Sequence, residues 1–227
     1  MGVVGISPSL LLSNEILNRL EIDDSAYQAA AWIRSYASEL GLSYPENYVL
    51  AEWGRARMYN YFVNGESRTY GYARQHYESF INSQNPDEWY GEFEGRVGFV
   101  ITRDIGDVSA IITQGLLHNE YGSGAEFIDG VSHYRAVWQS DDGAVKVFEV
   151  VPGATIEGSF ETESEVKMST AVSLAPEGTD IEFQRIVPIR EDVTFSVTVP
   201  HPGEYEVGDR SIRIPESAVQ QGDTIQL

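Results

Sequence analysis

Residues 48–77 read YVLAEWGRARMYNYFVNGESRTYGYARQHY. Tyr48-Val49-Leu50-Ala51 is an apolar run long enough for a short buried strand, and it passes directly into Glu52-Trp53-Gly54. Arg55, Arg57, Tyr59, Asn60, Tyr61 and Phe62 follow, and the spacing predicts a helix over 56–63 that stops at Asn64-Gly65. An acid, an indole and a glycine at a strand end are costly for packing alone. Strand ends that feed loops are where α/β folds place their chemistry. The residue types also permit a plainer reading, in which Trp53, Tyr59 and Phe62 are core aromatics and Arg55 and Arg57 pair with local carboxylates.

Upstream, residues 14–21 predict a short helix with Ile16, Leu17 and Leu20 on one side. Asp23 or Asp24 caps a longer one through Ala26, Ala30, Ile33, Ala37 and Leu40, which Gly41 stops. Residues 44–47 form the turn into the strand. Downstream, helices are expected over 72–82 and 86–93, then a second buried strand over 97–102 with Arg103-Asp104 at its end. Asp107 is expected to cap a helix through Val108, Ile111, Ile112, Leu116 and Leu117 to near Gly122, with Gly115 as its weak point. Helix and strand alternate as in a small α/β unit.

From Val131 the texture changes. Segments 133–139 and 144–151 predict a hairpin across Asp141-Asp142-Gly143. After Val151-Pro152-Gly153-Ala154 every run is strand-like: 155–160, 165–174, 181–187, 193–199, 204–207 and 211–214. The expected fold class is therefore α+β: a mixed α/β unit of helices around a small sheet over 14–151, then an antiparallel β-sandwich without helices over 152–227. Residues 1–13 are expected to be a juxtamembrane stub or an N-terminal arm. Their apolar run is shorter than the roughly 20 residues a bilayer requires and lacks the flanks of a signal peptide.

Composition narrows the function. The 227 residues carry 35 acids against 15 bases, a formal charge of −20, and only Lys146 and Lys167 are lysines. Acid enrichment with few lysines suits a surface working in molar salt, where the Debye length falls to about 3 Å and self-repulsion is screened. Nucleic acid is a disfavoured partner, since phosphates call for a basic face. With no cysteine, disulfides and thiolate chemistry are excluded. His76, His118, His133 and His201 lack metal-ligand spacing and read as surface or packing residues. No Asn-x-Ser/Thr sequon is present.

A series of motifs carries a resemblance. Leu50-Ala51-Glu52-Trp53-Gly54 stands at a strand end behind a capped helix. Arg96-Val97-Gly98-Phe99-Val100 runs into Thr102-Arg103-Asp104. Glu120-Tyr121-Gly122-Ser123, residues 133–137 and residues 146–154 follow. Over roughly 20–155 the chain resembles the C-terminal soluble domain of archaeal oligosaccharyltransferases, haloarchaeal members in particular; these enzymes transfer a lipid-linked oligosaccharide to asparagine. The family motif there is Trp-Trp-Asp-Tyr-Gly. Glu52, Trp53 and Gly54 keep acid, aromatic and glycine in kind, whereas Leu50 and Ala51 replace the two tryptophans. The tail, through Phe195 to Val199 and Pro200-His201-Pro202-Gly203-Glu204-Tyr205, resembles a transthyretin-type or carboxypeptidase-regulatory sandwich.

In that family the tryptophans and the acid form a pocket for the hydroxyl of the acceptor sequon. The resemblance therefore implies that Glu52, Trp53 and Gly54 contact the acceptor. Arg55, Arg57, Tyr59 and Asn60 are added as supporting residues on proximity alone. A carboxylate–hydroxyl bond in a dry pocket is worth about 1.5–3 kcal/mol. The divalent metal (Mn or Mg) and the lipid-linked oligosaccharide belong to the family's membrane part. This chain is thus expected to hold no catalytic or metal-binding residue and to be inactive alone. Its implied partners are an acceptor polypeptide and its own upstream transmembrane region, and its implied place is the extracytoplasmic face of the membrane. Three alternatives stand beside this reading. One is a non-enzymatic surface module stacking sugars on Trp53, Tyr59, Tyr61, Tyr70, Tyr72 and Tyr77. Another is a degenerate paralogue without transferase activity, and the third a glycoside hydrolase pairing Glu52 with Glu66.

Overall fold

The computed structural model describes residues 23–66, 68, 70–125, 127–160, 164–176, 178–189 and 193–227. The stub and helix expected over 1–21 lie outside them. Helix α1 (Asp24–Glu39) opens on Asp23, whose carboxylate accepts from the Ala26 amide at 2.7 Å. It buries Ala26, Ala29, Ala30, Ile33 and Ala37, a mostly alanine face that lets the helix lie close to its neighbours. Strand β1 (Tyr48–Leu50) is buried throughout and leads into α2 (Trp53–Asn64), which ends at Gly65 with φ 75°. Helix α3 (Tyr70–Ile81) begins two residues before the sequence expectation. A 3-10 turn (Pro86–Trp89) and the one-turn α4 (Tyr90–Phe93) bring the chain to β2 (Val97–Arg103).

Strands β3 (Tyr134–Gln139) and β4 (Val145–Val150) form the expected hairpin and complete a four-stranded sheet in the order β1-β2-β4-β3. β1 and β2 run parallel, while β4 is antiparallel to both β2 and β3. The carboxyl ends of β1 and β2 consequently leave the sheet side by side. Gly98 permits the close approach of β2 to the preceding turn, for a Cβ there would meet the Glu46 carbonyl oxygen at 2.4 Å.

The helix expected from Asp107 is much shorter than its apolar spacing suggested. Only α5 (Thr113–His118) forms. Ile112 is extended (φ −106°, ψ 152°), and the Thr113 amide donates to the Ser83 carbonyl at the end of α3. Gly115 packs so tightly under Ser109 that a Cβ would lie 2.2 Å from its carbonyl oxygen. Residues 104–112 therefore fold as a loop over α5, and the apolar residues that mimicked helical periodicity divide between the two.

The second half pairs two sheets. Strands β6 (Glu165–Leu174), β7 (Thr179–Pro188), β9 (Gly203–Val207) and β10 (Arg210–Ile214) form one, in the order β10-β9-β6-β7. β5 (Ala154–Ser159) and β8 (Thr194–Val199) form the other with β11 (Thr224–Gln226). Alternation places Val166, Met168, Phe195, Val197, Val199, Tyr205 and Val207 inside, as period-two strands require. Two expectations fail here. A short helix, α6 (Glu216–Gln221), follows Pro215 and ends at Gly222 with φ 72°, and β11 joins β5 in parallel. Neither carries strong apolar patterning, and each is held by tertiary contacts: the Asp223 carbonyl accepts from Thr155, and Gln220 donates to Glu149 of the first sheet. One continuous core runs through both halves.

Candidate functional site

Ala51 is buried, and at Glu52 the chain turns outward. Glu52 occupies the position before α2 but does not cap it, and its carboxylate has no hydrogen bond or ion pair with the described residues. Its carbonyl receives the Arg55 and Ala56 amides at 2.9 Å each, which fixes the turn and leaves the side chain to solvent. The positive end of α2 favours an anion here. Trp53 stands beside it, 48% exposed, with the Arg74 guanidinium 5.3 Å above its ring. A cation over an indole face restrains the ring. Gly54 is exposed, with open space where a side chain would stand.

The supporting residues divide. Arg55 Nη1 pairs with Asp23 at 3.1 Å, and Arg103 Nη2 from the end of β2 pairs with the same carboxylate oxygen at 2.8 Å. Asp23 therefore ties the start of α1 to α2 and to the strand end. Burial alone would raise its pKa, but the Arg103 hydrogen bond, the Ala26 amide and both guanidinium charges outweigh it and hold the carboxyl below its usual range. Arg57 points outward and lies 5.8 Å over Tyr70. Tyr59 and Asn60 do not face the open site. Tyr59 is fully buried, its hydroxyl beside Arg103 without a well-formed hydrogen bond, and burial pushes it up to about 12 against the neighbouring arginines. Asn60 is 2% exposed; its carbonyl accepts from the Val49 amide, and its amide donates to the Val49 and Ala56 carbonyls, at 2.8–2.9 Å. It clamps α2 to β1. Of the plain packing reading of this stretch, Tyr59 is core and Arg55 has its carboxylate, whereas Trp53 lies at the surface.

Among the aromatics proposed to stack on sugars, Trp53, Tyr61 and Tyr70 are exposed, Tyr72 is half-buried, and Tyr59 and Tyr77 are interior. Tyr77 donates to the Ile101 carbonyl at 3.0 Å; burial raises its pKa and the nearby Glu52 carboxylate adds to the effect. Glu66 accepts from the Arg68 amide in its own loop. The sequence reading did not bring Arg74, Asp23 and Arg103 to this place. Arg103-Asp104 was visible at a strand end, and two parallel strands put their ends together. Nothing in local spacing linked residue 23 or 74 to residue 53.

A buried polar layer lies between β2, β4 and α5. Thr102 Oγ1 and His118 Nδ1 are 2.9 Å apart, and Lys146 donates to the His118 carbonyl and lies 3.5 Å over the Tyr121 ring. Burial lowers His118 to about 4, with Lys146 contributing, and lowers Lys146 to about 8 against the pull of Asp104 and Glu120. Among the described residues no three His, Asp or Glu side chains gather to hold a metal ion. No helix among them is long and apolar enough to cross a membrane.

No family model and no curated protein matches the sequence. Solved structures do. The oligosaccharyltransferase of Archaeoglobus fulgidus in complex with zinc and sulfate aligns with a TM-score of 0.64 at 17% identity, over 91% of this chain and 46% of that one. The form tethered to an acceptor peptide containing the NVT sequon gives 0.66 at 16%, over 91% and 43%. The complex with an inhibitory peptide and a dolichol-phosphate gives 0.65 at 16%, over 100% and 47%. This chain thus spans less than half the length of each, and at such identity the likeness is one of fold. The chain has the α+β fold that occupies just under half of an archaeal oligosaccharyltransferase.

Proposed function

We propose that this chain is the acceptor-binding domain of an oligosaccharyltransferase-like membrane protein. It would work on the extracytoplasmic face, together with an acceptor polypeptide and an upstream transmembrane region. The observation that carries the reading is the free Glu52 carboxylate beside the exposed Trp53 ring, at the end of β1 in a fold shared with a transferase solved with a tethered sequon peptide. Glu52 accepts a hydrogen bond from the sequon hydroxyl. Trp53, held under Arg74, shields that bond from water. Leu50 and Ala51 are closed into the core and supply no wall, so the pocket is shallower than one built by a tryptophan pair. The divalent metal and the lipid-linked oligosaccharide would be held by the membrane part, and the domain alone transfers nothing.

Chemical-shift mapping of a sequon peptide onto the domain in molar KCl tests this reading. The expected outcome is a set of shifts confined to the surface around Glu52, Trp53 and Arg74. They disappear with Glu52→Ala, with Trp53→Ala, or when alanine replaces the sequon threonine. Shifts that persist in both variants, or none at millimolar peptide, would sink the acceptor role and favour a surface module or an inactive paralogue.

A further inference from the structure

A second site lies at the open side of the sandwich. β7 ends one sheet and β8 ends the other, so no strand closes the gap between them. A cavity of about 470 Å³ opens there, within the size range of small-ligand pockets. Ile186, Val187, Ile189 and Val197 give it aliphatic walls, and Ser132 and Arg185 give it a polar end. Arg185 also lines a neighbouring cavity of about 430 Å³, which is the more acidic of the two because it holds Asp87 as well as Asp129.

Arg185 is largely buried, yet none of the described carboxylates binds it. Nη1 donates to Ser132 Oγ at 2.9 Å and to the Thr198 carbonyl at 2.6 Å, which engages both of its N–H groups. Nε and Nη2 have no hydrogen-bond partner among the described residues, and both remain reachable from solvent. Asp87 is committed elsewhere, its two oxygens accepting from the Ser132 amide at 3.0 and 2.9 Å. Asp129 is exposed. The two carboxylates act on Arg185 only as charges, and burial lowers its pKa against their pull. A guanidinium taken out of water and held by one hydroxyl and one carbonyl lacks a bonded counter-charge, which a bound anion supplies.

These features select the ligand's chemistry. The free Nε–Nη2 edge is a side of the guanidinium that can take a carboxylate through two parallel bonds. A cation is repelled by Arg185, and a neutral alcohol leaves its charge uncompensated. Sulfate or phosphate would set further charged oxygens against the aliphatic walls and Asp129. A carboxylate on a hydrocarbon body satisfies both ends of the cavity. We infer that the cavity between β7 and β8 binds an aliphatic monocarboxylate, its two oxygens on Arg185 and its hydrocarbon against Ile186, Ile189 and Val197. The inference is independent of the acceptor role of Glu52.

The test titrates the full chain with potassium hexanoate and with a tripeptide ending in a free valine carboxylate, against KCl of equal ionic strength. Methyl signals of Ile186, Ile189 and Val197 and the Arg185 Nε–H are followed by NMR. Hexanol, hexylammonium, potassium sulfate and the amidated tripeptide are the comparison probes. Saturable shifts at millimolar concentration are expected with at least one carboxylate, and the one that saturates identifies a free acid or a chain terminus as the source. Arg185→Lys keeps the charge, loses the fork and should weaken binding roughly tenfold. Because Arg185 also ties β7 to Ser132 and β8, Ser196→Glu is the second arm. Ser196 is exposed at the same cavity, so a carboxylate there repels the ligand and leaves the melting temperature unchanged. No saturable shift with either carboxylate, an equal response to sulfate, hexanol or the amidated peptide, or unchanged affinity in Ser196→Glu would each overturn the assignment.

Discussion

Glu52 and Trp53 differ from Tyr59 and Asn60 by one or two turns of helix, yet the two pairs have opposite fates. Trp53 opens α2 where β1 has already left the sheet, so its ring stays half exposed under Arg74 of the neighbouring helix. Asn60 returns to β1 and supplies hydrogen bonds that a strand three residues long cannot find elsewhere. Single residues also set the response to acid. His118 and His201 are buried and lowered from 6.5 to about 4 and about 3, whereas in the unfolded chain they take up protons near 6.5. Below pH 6.5 the unfolded state binds more protons than the folded one, so stability falls as pH falls toward the folded values. Each histidine contributes a slope of about 1.4 kcal/mol per pH unit in that window. Urea midpoints at pH 7 and pH 5.5 should show this loss in the wild type and a smaller one in His201→Gln. Equal midpoints at the two pH values would contradict it.

Among elements, the junction of β3, β4 and α6 carries the most electrostatic weight. Arg135 and Glu149 face each other across the β3–β4 ladder, with side chains 6% and 3% exposed and 2.7 Å between Nη2 and Oε2. Glu216 of α6 meets the same guanidinium from the solvent side. Removing one partner of a buried pair strands the other, at a cost of about 3–5 kcal/mol, while a half-exposed partner contributes about 1 kcal/mol or less. Glu149→Ala should therefore destabilise far more than Glu216→Ala in chemical denaturation. Similar losses in the two variants would mean that the pair does not hold the junction. The element scale is also where local sequence misled. The apolar residues from Val108 to Leu117 have helical spacing, but Gly115 and the Ser83–Thr113 contact divide them into a loop and a short helix.

At the scale of the whole molecule the charge of −20 dominates. Among the described residues the closest arginine–carboxylate pairs gather at Asp23 and at Arg135, and with 35 acids against 15 bases most surface carboxylates repel one another without a local cation. Added salt screens that repulsion and should raise the melting temperature between dilute buffer and molar KCl. A melting temperature that stays flat or falls with KCl would overturn the reading of the acidic surface as a salt adaptation.

The sequence by itself determined the types of most described elements and the sites of most turns, because apolar period and turn chemistry are local. It also marked Glu52 and Trp53, since an acid and an indole at a strand end stand out from their neighbours. The tertiary structure decided which residues share that surface. Only the parallel pairing of β1 with β2 brings Arg103 beside Asp23 and Arg55, and only the packing of α3 sets Arg74 on Trp53. The short α6 and β11 form for the same reason, their hydrogen bonds being completed by partners distant in the chain. Long-range contacts leave no period in the sequence around them, so those parts were settled by packing alone.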